Sequence, residues 1–401
     1  MSFLQKIEQH HASARSMGQF RSLGSLASGH GVRASHMQGK SMSNELQRAA
    51  YSVLLPAFSG LELDENVRRY LSRGGVSVLL GESREEYIAR SMSVERRRRE
   101  TREHFAQIAK EAVEYANSPV LIAVDQELGG IQRLHELVPK MPPVELLKDL
   151  SAADIEERCF EMASAARIMG INLILAPIVD VVTGANPWLH NRNLGSNPAE
   201  VARISCAFIR GVQRAGVIAT AKHFPGHFIT EADPAVAEAF VPGPYELLED
   251  GLDVFRQVIA SGVKAIMPGP AVFPAIDPDK SASTSAKVIG LLRDNLAFDG
   301  LIISDDLDAV SIIRGNTITE TAVTSLAAGA HLLLVSSEAG LDAIAEAIVA
   351  AVREGTLDKQ TLLSASKKVR SLAEASRTQV DLGLFLSFPS ESGHLTSRVK
   401  L

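Results

Sequence analysis

From about residue 47 onward, short apolar runs alternate with longer amphipathic stretches. The runs are SVLLP (52–56), VSVLL (76–80), PVLIAV (119–124), NLILAP (172–177), VIATA (217–221), VKAIMP (263–268), LIIS (301–304) and HLLLVS (331–336). A strand covered on both faces shows no polar side, so continuous apolar runs of this length read as parallel strands enclosed between other layers. Helical periodicity lies between them, for example over 101–116, 153–169, 199–214 and 286–297. The alternation predicts an α/β fold, specifically a single-domain (β/α)8 TIM barrel, with room for loop insertions beyond the ~250 residues typical of that fold. An open doubly wound sheet is the alternative, weakened because no Gly-rich phosphate loop follows the first strand.

The barrel is expected over residues 47–376, between an N-terminal extension (1–46) and a C-terminal tail (377–401) containing SFPSESGHLTS. The extension carries Arg15, Arg21 and Arg33 with Glu8 as the one acid before position 45. That composition fits either a transit peptide or a flexible native tail. The opening MSFLQKIEQHH lacks the apolar stretch of a secretory signal. Arg96–Arg99, interleaved with Glu95 and Glu100, reads as a solvated helix face with i,i+4 ion pairs.

Bulk properties narrow the function. A chain of 401 residues that is 46% hydrophobic can bury a large core. Its net charge of −6 gives no footprint for nucleic acid or an anionic membrane as partner. No apolar run approaches the ~18 residues of a membrane span. Cys159 and Cys206 are too few for a disulfide framework and fit a reducing, cytoplasmic setting. No His, Cys or carboxylate group has ligand spacing, and HEL at 135–137 lacks the second His of a zincin helix, so neither metal nor cofactor is expected. Aromatics at 5%, with one Trp, count against a long polysaccharide cleft. No exposed apolar stripe defines an oligomeric state.

In a barrel of this type chemistry sits at the C-terminal strand ends. Asp125 follows the third run and Asp180 the fourth; the fifth leads into Lys222 and His223, and the seventh into Asp305, Asp306 and Asp308. Any one of these carboxylates could simply cap the next helix. Four charged strand ends on one rim point to a site.

The ordered segments VLIAVDQELGG, GINLILAPIVDVV, NRNLGSNPAEVARISCAFIRGVQRAGV, GVIATAKHFPGH and FDGLIISDDLDAV resemble glycoside hydrolase family 3, in particular its single-barrel β-N-acetylhexosaminidases. The resemblance covers roughly residues 50 to 340. It implies a small carbohydrate or glycoconjugate substrate, a β-linked (N-acetyl)hexosaminide, and cleavage through an oxocarbenium-like state with retention. Asp305 matches the nucleophile. Asp125, Arg133, Arg192, Lys222 and His223 match the sugar-binding groups. His227 reads as a residue that pins its loop.

Two departures stand out. In the hexosaminidase branch the loop after the His-Phe-Pro-Gly-His turn ends in Asp-Ser-His, whose histidine is the acid/base. Here the register reads Asp233-Pro234-Ala235. An alanine transfers no proton, so a non-standard donor is expected, with Asp233, Glu231 or Glu238 as nearby acids. Leu128 also stands in the family's Gly-Gly position, and the arginine after it is missing, which predicts a reshaped pocket. The alternatives are a catalytically impaired sugar-binding or regulatory homologue and a glycoside phosphorylase.

Overall fold

The structure, a computed structural model, describes residues 43–377. Eight strands follow one another: β1 (Leu54–Phe58), β2 (Ser77–Leu80), β3 (Leu121–Val124), β4 (Leu173–Ile174), β5 (Ile218–Phe224), β6 (Ala265–Pro268), β7 (Leu301–Ile302) and β8 (Leu333–Ser336). Each pairs in parallel with its sequence neighbour, and β8 returns to pair with β1. An isolated parallel bridge between Ile303 and Leu332 links β7 to β8, so the sheet curls into a TIM-barrel-like ring. All eight strands fall on the apolar runs of the sequence.

A helix stands after each strand: α1 (Glu65–Ser72), α2 (Arg102–Ala116), α3 (Ala152–Ile168), α4 (Pro198–Arg214), α5 (Glu249–Ala260), α6 (Ala286–Gly290), α7 (Ile318–Ala328) and α8 (Leu341–Glu354), with α9 (Lys359–Ala375) last. Their starts are written locally. Asn197 accepts from the Glu200 N–H while Pro198 opens α4, and Thr317 with Glu320 forms a reciprocal capping box on α7. These contacts satisfy N–H groups that a helix leaves orphaned at its start.

Strand alternation divides the core in two. Leu55, Leu79, Leu121, Ala123, Met267 and Ile303 point inward and fill the barrel, which Val369 and Ala373 of α9 also contact. Their neighbours Val78, Ile122, Val124, Ile266 and Val335 face outward against the helices. The interior is therefore packed, and the polar groups needed for chemistry must sit above it, at the strand ends.

Residues 1–42 and 378–401 lie outside the described residues, and with them the expected transit-like extension and most of the tail. Residues 43–52 are helical, and Leu46 is buried. The arginine run forms the short helix Val94–Arg99, and Arg99 pairs with Glu95 as a solvated i,i+4 pair. Arg96 departs from that picture: only 13% of its side chain is exposed, and it joins Glu86 to Glu100. An antiparallel pair, Val272–Phe273 with Asp277–Ser281, is an unforeseen insertion between β6 and α6. Among the described residues no helix is long and apolar enough to cross a membrane.

Candidate active site

A cavity of about 700 Å³ opens at the C-terminal ends of the strands. That volume lies within the usual range for small-ligand sites. Asp125, Arg192, Lys222, His223 and Asp305 all line it. Five residues from four separate segments thus share one mouth.

The β5 end supplies two of them through an irregularity. In plain alternation Lys222 and His223 would face opposite sides of the sheet. The pairing of β5 with β6 shifts register between Lys222 and Phe224. Such a bulge re-aims side chains, and both residues reach the cavity.

Lys222 donates from Nζ to Asp125 Oδ1 at 2.7 Å and lies 2.9 Å from Glu127 Oε1. Arg192 binds Glu127 with two donors, at 2.7 and 3.1 Å. Burial alone would raise the Glu127 carboxyl, but the Arg192 and Lys222 charges hold it far below the usual carboxylate range. Burial likewise opposes charge on Lys222 and Arg192, and the surrounding carboxylates overcome it and raise both. Glu127, Lys222 and Arg192 are consequently ionised at neutral pH. Glu127 was not selected from the sequence as a site residue. Its signal was its place two residues after Asp125, in a turn leaving a strand end.

The His223 and His227 rings are held by Asp180. His223 donates to Oδ2 from its backbone N–H at 3.1 Å and from Nδ1 at 2.8 Å; His227 reaches Oδ1 at 2.7 and 3.3 Å. Burial opposes ionisation of Asp180, yet the two histidines hold it far below its ordinary value. Burial lowers His223, so its ring is neutral near pH 7. With Nδ1–H given to Asp180, its Nε2 is an acceptor, 3.9 Å from Asp305 Oδ2. Trp188 packs tilted against the His223 ring, 4.4 Å between centroids. The fold thus collects a trio, Asp180, His223 and His227, of metal-ligating type that spacing did not reveal. Its carboxylate oxygens are already occupied by four N–H contacts, so the trio acts as a hydrogen-bonded brace. His227 pins its loop from full burial.

Asp305 follows β7. Its backbone N–H donates to Ser283 Oγ, Oδ1 accepts from the Asp306 N–H at 2.7 Å, and Oδ2 has no hydrogen-bond partner among the described residues. Asp306 also lines the cavity, walled in by the concave mouth though still wet, and burial with the Asp308 charge pushes its carboxyl up to about 7.

Several expectations require correction. Arg133 does not line the cavity. Its guanidinium is fully buried, grips Glu100 at 2.6 and 2.9 Å through two of its N–H groups, and donates from Nε to the Gly81 carbonyl at 2.6 Å, which turns it away from the cavity. Leu128 is 5% exposed and belongs to the core, so it does not reshape the mouth directly. On the altered loop, Pro234 and Ala235 line the cavity while Asp233 and Glu231 do not. Asp233 Oδ1 accepts from the Ala235 N–H at 3.0 Å, Glu231 is exposed, and Glu238 pairs with Arg314 at 3.0 Å. Residue 235 therefore presents a methyl group to the cavity.

Comparison with known proteins agrees with the geometry. Residues 54–372 match the glycosyl hydrolase family 3 N terminal domain. A β-hexosaminidase of Idiomarina loihiensis is 30% identical over 69% of this chain and 86% of its own length. One from Stenotrophomonas maltophilia is 33% identical over 55% of this chain and 68% of its own. A family 3 β-N-acetylglucosaminidase structure from Paenibacillus sp. superimposes with a TM-score of 0.74 at 30% identity, over 82% of this chain and 62% of that longer one. A β-N-acetylhexosaminidase from Beutenbergia cavernae shares the fold, with a TM-score of 0.73 at 22% identity over 82% of this chain and 98% of its own. The chain belongs to glycosyl hydrolase family 3, a class of glycosidases.

Proposed function

We propose that the protein hydrolyses a β-linked N-acetylhexosaminide with retention, Asp305 acting as nucleophile. The carrying observation is the free Asp305 Oδ2, in the same cavity as the charged Lys222–Asp125 pair. Asp125 accepts from ring hydroxyls, Lys222 and Arg192 donate, and neutral His223 accepts through Nε2. Asp305 attacks the anomeric carbon as the bond to the aglycone breaks. Water then cleaves the glycosyl–enzyme ester and releases the sugar.

The aglycone oxygen must gain its proton from somewhere other than residue 235. Loss of general acid catalysis costs about 10²–10⁴-fold, which an acidic aglycone tolerates and an ordinary sugar alcohol does not. Asp233 and Glu231 serve as donors only if the loop turns inward on the substrate. Asp306 is a pocket-lining acid already poised near neutral pH.

The test uses an aryl N-acetyl-β-glucosaminide carrying a good leaving group. Wild type should release the phenol, Asp305→Ala should lose that activity while still binding N-acetylglucosamine, and azide should accelerate turnover limited by the missing acid/base. Binding without turnover of any activated glycoside by wild type would leave a sugar-binding homologue instead.

A further inference from the structure

One carboxyl at the cavity has no role in the reading above. Glu82 stands just beyond β2, beside the β3 end that carries Asp125, and it lines the same cavity. Its Oε2 is closed off from water and has no hydrogen-bond partner among the described residues. An unsatisfied buried polar atom costs free energy that a structural role does not recover. A ligand can recover it.

Its setting is prepared. Arg133 Nε holds the Gly81 carbonyl, one residue before Glu82, and Glu100 clamps the Arg133 guanidinium. Burial is the main force that pushes the Glu82 carboxyl up to about 8; Asp125 and Glu127 add to it, while Lys222 and Arg133 oppose it. Glu82 is thus a neutral acid at pH 7, able both to donate and to accept. A hydroxyl has the same dual character.

We propose that Glu82 is a substrate-binding, specificity-determining residue that exchanges a hydrogen bond with a ring hydroxyl on the edge of the sugar gripped by Asp125 and Lys222. This rests on the carbohydrate reading of the cavity.

The experiment is a coupling measurement by calorimetry. N-acetylglucosamine and its 3-, 4- and 6-deoxy analogues are titrated into wild type, Glu82→Met and Glu82→Gln, two substitutions that nearly preserve side-chain size. One deoxy analogue should bind wild type about tenfold more weakly than the parent sugar, the scale of one hydrogen bond in a shielded site. Glu82→Met should bind the parent sugar weaker by a similar factor and show no further loss with that analogue. Glu82→Gln, which also donates and accepts, should recover most of the affinity. Equal deoxy penalties in wild type and Glu82→Met would overturn the assignment while leaving the carbohydrate reading intact. If no sugar binds wild type, both fall together.

Discussion

On the β3–β5 side of the mouth, charged groups answer one another: Lys222 binds Asp125 and Glu127, Arg192 binds Glu127, and both histidines bind Asp180. On the β7 side Asp305 leaves an oxygen unpartnered, and across the cavity the β5 loop offers the methyl of Ala235. The first region is built to hold a polar ring in a fixed pose. In the proposed mechanism the second supplies the attacking carboxylate beside a position, Ala235, that transfers no proton. Binding machinery is a network, in which losing one member strands the others at a cost in stability. A proton donor on a loop has no such partners. Its replacement costs the fold little, so the gripping side stays intact while the donor position changes.

The comparison can be broken from the reacting side. Ala235→His places an imidazole where the loop meets the cavity. If proton donation is the missing element, turnover of a glycoside with an unactivated sugar aglycone should rise by roughly 10²-fold or more, with little change for an aryl glycoside of low leaving-group pKa. Parallel steady-state assays on the two substrates check this, and an unchanged ratio would mean that the loop does not approach the anomeric oxygen.

From the gripping side, Arg192→Met leaves Glu127 buried with half its countercharge. Breaking such a pair costs about 3–5 kcal/mol, measurable by urea denaturation, and should abolish sugar binding as well. Glu82→Gln acts in the opposite direction and depends on pH. Burial pushes the folded carboxyl up to about 8, above its ordinary value of 4.5. Stability is therefore fully present below about pH 4.5 and declines as pH rises toward 8, because the unfolded chain ionises freely while the folded one resists. Glu82→Gln should leave stability unchanged at pH 4 and raise it at pH 8, by an amount on the order of 4 kcal/mol. Thermal melts across that range provide the readout. The smallest effect belongs to the outer face: Arg99→Ala removes a pair whose side chains are 78% and 69% exposed and should shift stability by less than about 0.5 kcal/mol.

Much of this was legible in advance because some signals are local. Strand runs and helix starts sit in consecutive residues, and Asp125, Lys222 and Asp305 were readable as strand-end polar groups because every barrel strand delivers its C-terminal end to the same rim. Arg133 shows where local reading stops. Its position in the segment marks it as a sugar-binding group, yet its neighbours across the chain, Glu100 and the Gly81 carbonyl, hold its guanidinium buried and away from the cavity. Glu82 is the converse, an ordinary acid in GESREEY until the cavity wall closes round it.

The order of apolar and polar residues by itself determined the eight-strand alternation, the rim on which chemistry gathers, and the alanine at the position of the expected donor, since periodicity and identity need no third dimension. Only the tertiary structure decided which charges neutralise which. Electrostatic partners such as Lys222 and Asp125, or Arg192 and Glu127, are separated by scores of residues in sequence and by less than 3 Å in space. The energy of a charge depends on that short distance and on the water excluded around it.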